Sequence, residues 1–190
     1  IVLSPRTFSN VAESARKALT TQKVANALAK TATEFEEVLQ RHIGERFREN
    51  LATDITDTLT TALAQIELLI DQVAQKNDES PDVLRASSTL NRAKSDVDSV
   101  LASGSEMVSF VTDHRGSPRL TSAPLRVSGV LAPVWADNVA ILTSATIPPG
   151  LPQRLGLAMA DEDIIQVKSP FDYARNSLLY LAGDLAAPNE

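Results

Sequence analysis

The feature that most constrains this chain lies between about residues 53 and 76. Ile55, Leu59, Ala62, Ile66, Leu69 and Val73 recur there at alternating spacings of four and three, a heptad-like seam. A strand turns its side chains to opposite faces at every residue and cannot gather these six on one side. A long helix can, and a helix with one apolar stripe is stable in water only against other helices. The sequence supplies three partners. Ser4-Pro5 is a hydroxyl N-cap followed by proline at the first helical position. Phe8, Val11, Ala12, Ala15, Ala18 and Leu19 then make one apolar face, ending at a break near Thr20-Thr21. A second helix is expected over about 22–50, with Val24, Leu28, Phe35, Val38, Leu39, Ile43 and Phe47 inward and polar lapses at Thr31 and His42. After a turn at Asn77-Asp78-Glu79, Ser80-Pro81 opens a fourth helix. Leu84, Leu90, Val97 and Leu101 line its inner face, and Gly104 stands where a left-handed C-cap is expected. Short connections between long helices dictate antiparallel packing in a bundle. The mixed charges Glu34, Glu36, Glu37, Arg41, Glu45, Arg46, Arg48 and Glu49 read as a solvated helix face.

The character of the chain changes near Gly104. Beyond it fall eight of the ten prolines and five of the seven glycines, so long helices give way to short elements. Met107, Phe110 and Val111 begin a strand pattern, Asp113-His-Arg-Gly116 a hairpin turn, and 120–125 a return strand. A short helix or turn over 127–135 leads to an apolar strand over 139–143. The tip of that strand is Thr143, Ser144, Ala145 and Thr146, followed by Pro148-Pro149-Gly150. A short helix or turn over 151–157 and strands over 164–167 and 177–181 complete the pattern. The expected fold is therefore mainly α: an antiparallel helical bundle over 1–105, its first few residues a strand, plus a partial α/β region over 106–190. The chain begins inside a strand pattern and ends just after another, as expected of a piece of a longer polypeptide.

Composition excludes several chemistries. The chain has 190 residues and no cysteine, so it offers no disulfide, thiolate zinc site or iron–sulfur ligand. His42 and His114 are the only histidines, too few for a histidine-rich metal centre. The net charge of −6 opposes wholesale binding to anionic surfaces. Local basic groups remain. One is His114, Arg115, Arg119 and Arg126; the other is Arg85, Arg92 and Lys94. Either could contact phosphates without reading sequence, and either could be ordinary surface charge. No apolar run is long enough to span a membrane. Ser144 lacks a nucleophile-elbow setting, Asp161-Glu162-Asp163 reads as a solvated turn, and there is no glycine-rich phosphate loop. No catalytic residue is identified.

Several motifs occur in one order: Ala123-Pro-Leu-Arg-Val-Ser128, Leu131…Trp135, Thr143-Ser-Ala-Thr146, Arg154-Leu-Gly-Leu157, Ser169-Pro-Phe-Asp-Tyr173, Leu178-Leu-Tyr-Leu181 and Asp184-Leu…Pro188-Asn189. That series, covering about 106–190, resembles the DinG family of bacterial helicases, relatives of XPD in helicase superfamily 2. The resemblance implies an ATP-dependent 5′-to-3′ DNA helicase of DNA repair or replication, cytoplasmic, with single-stranded DNA as partner. It implies two RecA-like motor domains and an inserted helical arch, here about residues 5–105. Thr143, Ser144, Ala145 and Thr146 would be motif III, which couples nucleotide state to DNA movement. Small hydroxyls at a strand end can exchange hydrogen-bond partners as a phosphate changes. Ile147 departs from the family's usual leucine, and the Walker A loop, acidic box and arginine finger are missing from this sequence. ATP and Mg²⁺ therefore belong to a full-length parent, and none is expected on this segment, nor an iron–sulfur cluster. Pairing of two copies through an uncovered sheet edge is expected. A non-enzymatic helical scaffold and a simple single-stranded DNA-binding module are the alternatives.

Overall fold

Ser4 and Pro5 open the first helix, α1 (Pro5–Ala18). The Ser4 N–H donates to Thr7 Oγ1 at 3.1 Å, which satisfies a backbone group at the helix start. Three further helices follow: α2 (Lys23–Arg41), α3 (Thr53–Ala74) and α4 (Pro81–Leu101). Each packs on the next and α4 returns to α1, closing a four-helix bundle. The computed structural model describes residues 1–76, 78–157, 164–165, 167–168 and 170–180. They fall in two compact units, Ile1–Val127 and Ser128–Glu190.

The seam on α3 is the spine of the first unit. All six of its residues are buried, as are Phe8, Val11, Ala12, Ala15, Ala18 and Leu19 from the first apolar face. Phe8 and Phe35 meet edge to face with ring centroids 5.2 Å apart. The polar lapse at Thr31 is satisfied. This buried residue places Oγ1 3.0 Å from Gln65 Oε1 and 3.2 Å from Ala27 O, so its hydroxyl has partners inside the bundle.

Beneath the helices lies a four-stranded antiparallel sheet in the order β1-β4-β3-β2. Its strands are β1 (Val2–Leu3), β2 (Arg46–Phe47), β3 (Met107–His114) and β4 (Ser117–Pro124). The β3–β4 hairpin turns on Arg115 and Gly116, with φ of 55° and 79°. Two positive φ values are what a two-residue turn needs to match strand twist. Leu3, Val111 and Leu120 on the inner face join the helical core in one apolar cluster. The first unit thus runs past Gly104 to Val127 because the hairpin is part of its core. β1 pairs with β4, Val2 opposite Thr121 and Leu3 opposite Leu120, so the whole bundle is inserted between two neighbouring strands.

Four expectations for this unit are corrected. The second helix stops at Arg41, not near Asn50. Gly44 adopts φ +90° and donates its N–H to Val111 O at 2.9 Å, which diverts the chain into edge strand β2. Ile43 is therefore exposed, whereas Phe47 still packs against the core, half-buried, from strand β2 rather than from a helix. On α4 the stripe is Val83, Ala86, Leu90, Ala93, Val97 and Val100; Leu101 packs against the core beside it, half-buried as expected, but Leu84 is 58% exposed. Continuing the three-and-four spacing backwards from Leu90 reaches Ala86 and Val83, so Leu84 falls outside the stripe. The fourth helix also ends at Leu101 with Ala102 as its cap, and Gly104 lacks a positive φ.

Among its described residues the second unit contains three short helices, α5 (Ser128–Ala136), α6 (Leu151–Arg154) and α7 (Tyr173–Asn176). Trp135 Nε1–H donates to Leu155 O at 2.7 Å, which ties α5 to the end of α6. Gly156 has φ +75°, and a Cβ there would lie 2.5 Å from Ser128 O, so a larger residue would be strained and would collide with backbone. The expected strand over 139–143 is not formed; these residues are irregular and Val139 and Ile141 stand exposed. Residues 164, 165, 167 and 177–180 are likewise irregular. A strand needs neighbours for its N–H and C=O groups, and no strand is present among the described residues of this unit. Asn77, Asp161–Asp163, Gln166, Ser169, Leu181 and the 184–189 motif lie outside the described residues.

Candidate nucleic-acid interface

The basic group on α4 is divided between two exposed arginines and a paired lysine. Arg85 and Arg92 are exposed and seven residues apart, hence on one side of the helix. Lys94 points to α3, where it binds Glu67 and also reaches Asp98 at 3.1 Å. The Glu67 hydrogen bond, then Asp98, raises the Lys94 pKa above its ordinary value. Its charge is answered locally. The facing helix α3 carries Asp54, Asp57, Glu67 and Asp71 and neither lysine nor arginine. The acidic charge of α3 opposes an anion on its own face, while Arg85 and Arg92 stay exposed on α4.

The hairpin group is more coherent. Side chains alternate across a strand. Buried Ser109, Val111, Leu120 and Ser122 fix the inner face, so Arg119 belongs to the outer one. Arg119 pairs with Thr112 and His114 with Ser117. Arg115 sits at the exposed tip, and Arg126 follows the end of β4. The register adds two residues that sequence reasoning missed. Arg46 is the direct partner of Phe110, and Phe110 pairs on its other side with Thr121. Arg46 lies on edge strand β2 and not on the solvated helix face expected from its charged neighbours. Gly44, two positions earlier, is the signal that could have shown the helix ending and a strand beginning.

A second cluster joins α2 to α3. His42 Nδ1 lies 2.8 Å from Glu45 Oε2, and Nε2 lies 2.9 Å from Asp54 Oδ1. Arg41 Nη2–H donates to Asp54 Oδ2 at 2.9 Å. A ring with a carboxylate at each nitrogen donates to both only as imidazolium. The His42 pKa is accordingly raised, chiefly by Glu45, with partial burial opposing and Asp54 assisting. Burial pushes the Asp54 carboxyl up, but hydrogen bonds from Arg41 and His42 outweigh it and the pKa lies below its ordinary value.

A raised folded-state pKa stabilises in full below the ordinary histidine value of about 6.5, and the benefit fades as pH rises through the raised value. The lowered Asp54 value acts oppositely, stabilising above about 3.9 and fading on acidification. His42→Gln should therefore cost about 1–2 kcal/mol near pH 5 and less near pH 8.5. Urea midpoints across that range check it; a cost that grows with pH would contradict the assignment.

The hydroxyl run lies in an irregular, exposed segment. Thr146 N–H donates to Ser144 Oγ at 3.3 Å, and that hydroxyl is 2.8 Å from Thr146 O. Ser144 is thus used by its own turn, while Thr143, Ala145 and Thr146 are exposed. Comparison with protein-family models finds no match, and comparison with curated proteins finds no significantly similar sequence.

Proposed function

We propose that the chain is a segment of a DinG-like, ATP-dependent 5′-to-3′ DNA helicase of DNA repair or replication. In this reading residues 1–105 form the arch, 106–190 belong to a RecA-like motor region, and the partner is single-stranded DNA in the cytoplasm. The ordered motifs from Ala123 to Asn189 carry the reading. It gains support from topology: the helical bundle is an insertion between adjacent strands β1 and β4, the connectivity an arch requires. Thr143 to Thr146 would couple nucleotide state to DNA movement once the neighbouring ATP loops of the parent are in place.

Phosphate and Mg²⁺ chemistry needs a Walker loop and an acidic box, and this sequence has neither. The isolated chain is therefore expected to show no ATP turnover above buffer, with or without DNA. Turnover that survives repurification would overturn that expectation. For the helicase reading itself, the decisive observation is the parent gene: a Gly-Lys-Thr loop and an Asp-Glu-x-His box upstream of Ile1 support it, and a gene without them excludes it.

The all-acidic charge of α3 favours a second reading, a helical scaffold that binds protein. Absence of single-stranded DNA binding even at low salt would select the scaffold.

A further inference from the structure

We propose that the outer face of the four-stranded sheet is a stacking platform for single-stranded DNA, with Phe110 as the base-stacking ring and Arg46 and Arg119 as phosphate contacts. The proposal rests on the reading that this chain meets single-stranded DNA, and it assigns a surface that the sequence motifs do not.

The register builds the platform. Phe110 stands at the centre of a row formed by Val2, Thr121, Phe110 and Arg46, one residue from each strand. Adjacent strands are about 4.8 Å apart, so Thr121 and Arg46 flank the ring. Arg119 is two residues from Thr121 on the same face of β4, within diagonal reach of Phe110. Phe110 is half-buried and belongs to the face turned away from the helical core. An open hollow lies at its side, lined by Glu45, Arg46, Val108, Phe110 and Thr112. Glu45 is already engaged by His42.

Charge selects the occupant. The chain as a whole carries −6, yet no strand position on this face is Asp or Glu. Among the described residues neither Arg46 nor Arg119 forms an ion pair. Two free guanidinium groups beside an aromatic ring suit a ligand that alternates anionic links with flat rings. Single-stranded nucleic acid has that chemistry: every base offers a π-face to stack, and every link offers a phosphate. A protein surface has no such alternation. The paired bases of a duplex leave no face free to stack.

The test uses the 190-residue chain and fluorescein-labelled oligothymidylate in an anisotropy titration across a salt series. Phe110→Leu should bind about tenfold or more weakly. Arg46→Gln and Arg119→Gln should each lower the salt slope by about 1. An abasic strand of equal length should bind the unaltered chain about as weakly as oligothymidylate binds Phe110→Leu. Should Phe110→Leu lose its far-ultraviolet circular dichroism, the arginine variants and the abasic strand still decide. The platform is overturned if all three variants bind like the unaltered chain, if the abasic strand binds equally well, or if duplex DNA or an acidic peptide competes as effectively as oligothymidylate. Equal binding by the variants removes the platform while leaving the helicase reading intact. A parent gene without ATP motifs removes the helicase reading while leaving the platform.

Discussion

Replacing Phe35 with alanine is expected to lower the unfolding free energy of the first unit by about 3–5 kcal/mol. Phe35 is completely buried and meets Phe8, also completely buried, edge to face at 5.2 Å. Such a pair contributes about 0.5–1.5 kcal/mol beyond the apolar area it removes from water. Its surroundings make the loss hard to repair. The other buried residues of α1 are Pro5, Val11, Ala12, Ala15 and Ala18, and α2 adds Ala25 and Ala32. The larger buried side chains, Leu28 and Leu39 on α2 and Leu59 and Ile66 on α3, are themselves fully buried in the same cluster, and a close-packed core collapses only partly into a new cavity. Domains of this size are held by about 5–15 kcal/mol, so the variant should be marginal. Urea denaturation followed at 222 nm checks it through the midpoint at constant slope. Phe35→Leu keeps most of the volume and should lose about 1–2 kcal/mol. An alanine variant within about 0.5 kcal/mol of the parent would mean that α1 and α2 do not meet at this ring.

Which parts of the fold were legible follows from the same periodicities. The α3 seam and the α1 face were read without error because one helix side does all the burying there. Reading failed where a single residue redirected the chain. Ile43 and Phe47 continue the apolar spacing of α2, which masks Gly44, the residue whose left-handed backbone ends the helix. Leu84 lies six residues before Leu90, off the three-and-four spacing, and Val83 and Ala86 hold the register that buries the stripe. The expected strand at 139–143 failed for another reason. An apolar run states that a segment can be buried, and only a partner strand decides whether it is. The site was less legible than the fold. Arg115, Arg119 and Arg126 are close in sequence, whereas Arg46 meets Phe110 across more than sixty intervening residues. Spacing along the chain carries no trace of that pairing. Nor does spacing show that Lys94 is paired, because Glu67 lies on another helix.

Leu120→Asp is expected to unfold the first unit as a whole, at a cost of at least about 4 kcal/mol. Leu120 is fully buried, pairs with Leu3 and belongs to the same apolar cluster as the four helices. A carboxylate there must either stay charged in apolar surroundings or take up a proton, and each choice opposes folding. The consequence reaches beyond the hairpin, because α1 and α2 touch β4 and α4 touches β1. Helix and sheet have one core, so helical dichroism and strand protection against hydrogen exchange should be lost in a single transition. The neighbouring position is the control. Thr121 points to the opposite face, and Thr121→Asp should cost under about 1 kcal/mol, as is usual for accessible positions. The same substitution sets a carboxylate beside Phe110, where it should weaken oligothymidylate binding by repelling phosphate. A Leu120→Asp chain that keeps its helices and melts like the parent would separate the bundle from the sheet. A Thr121→Asp chain that unfolds would show the outer face to be buried, and no DNA could then reach it.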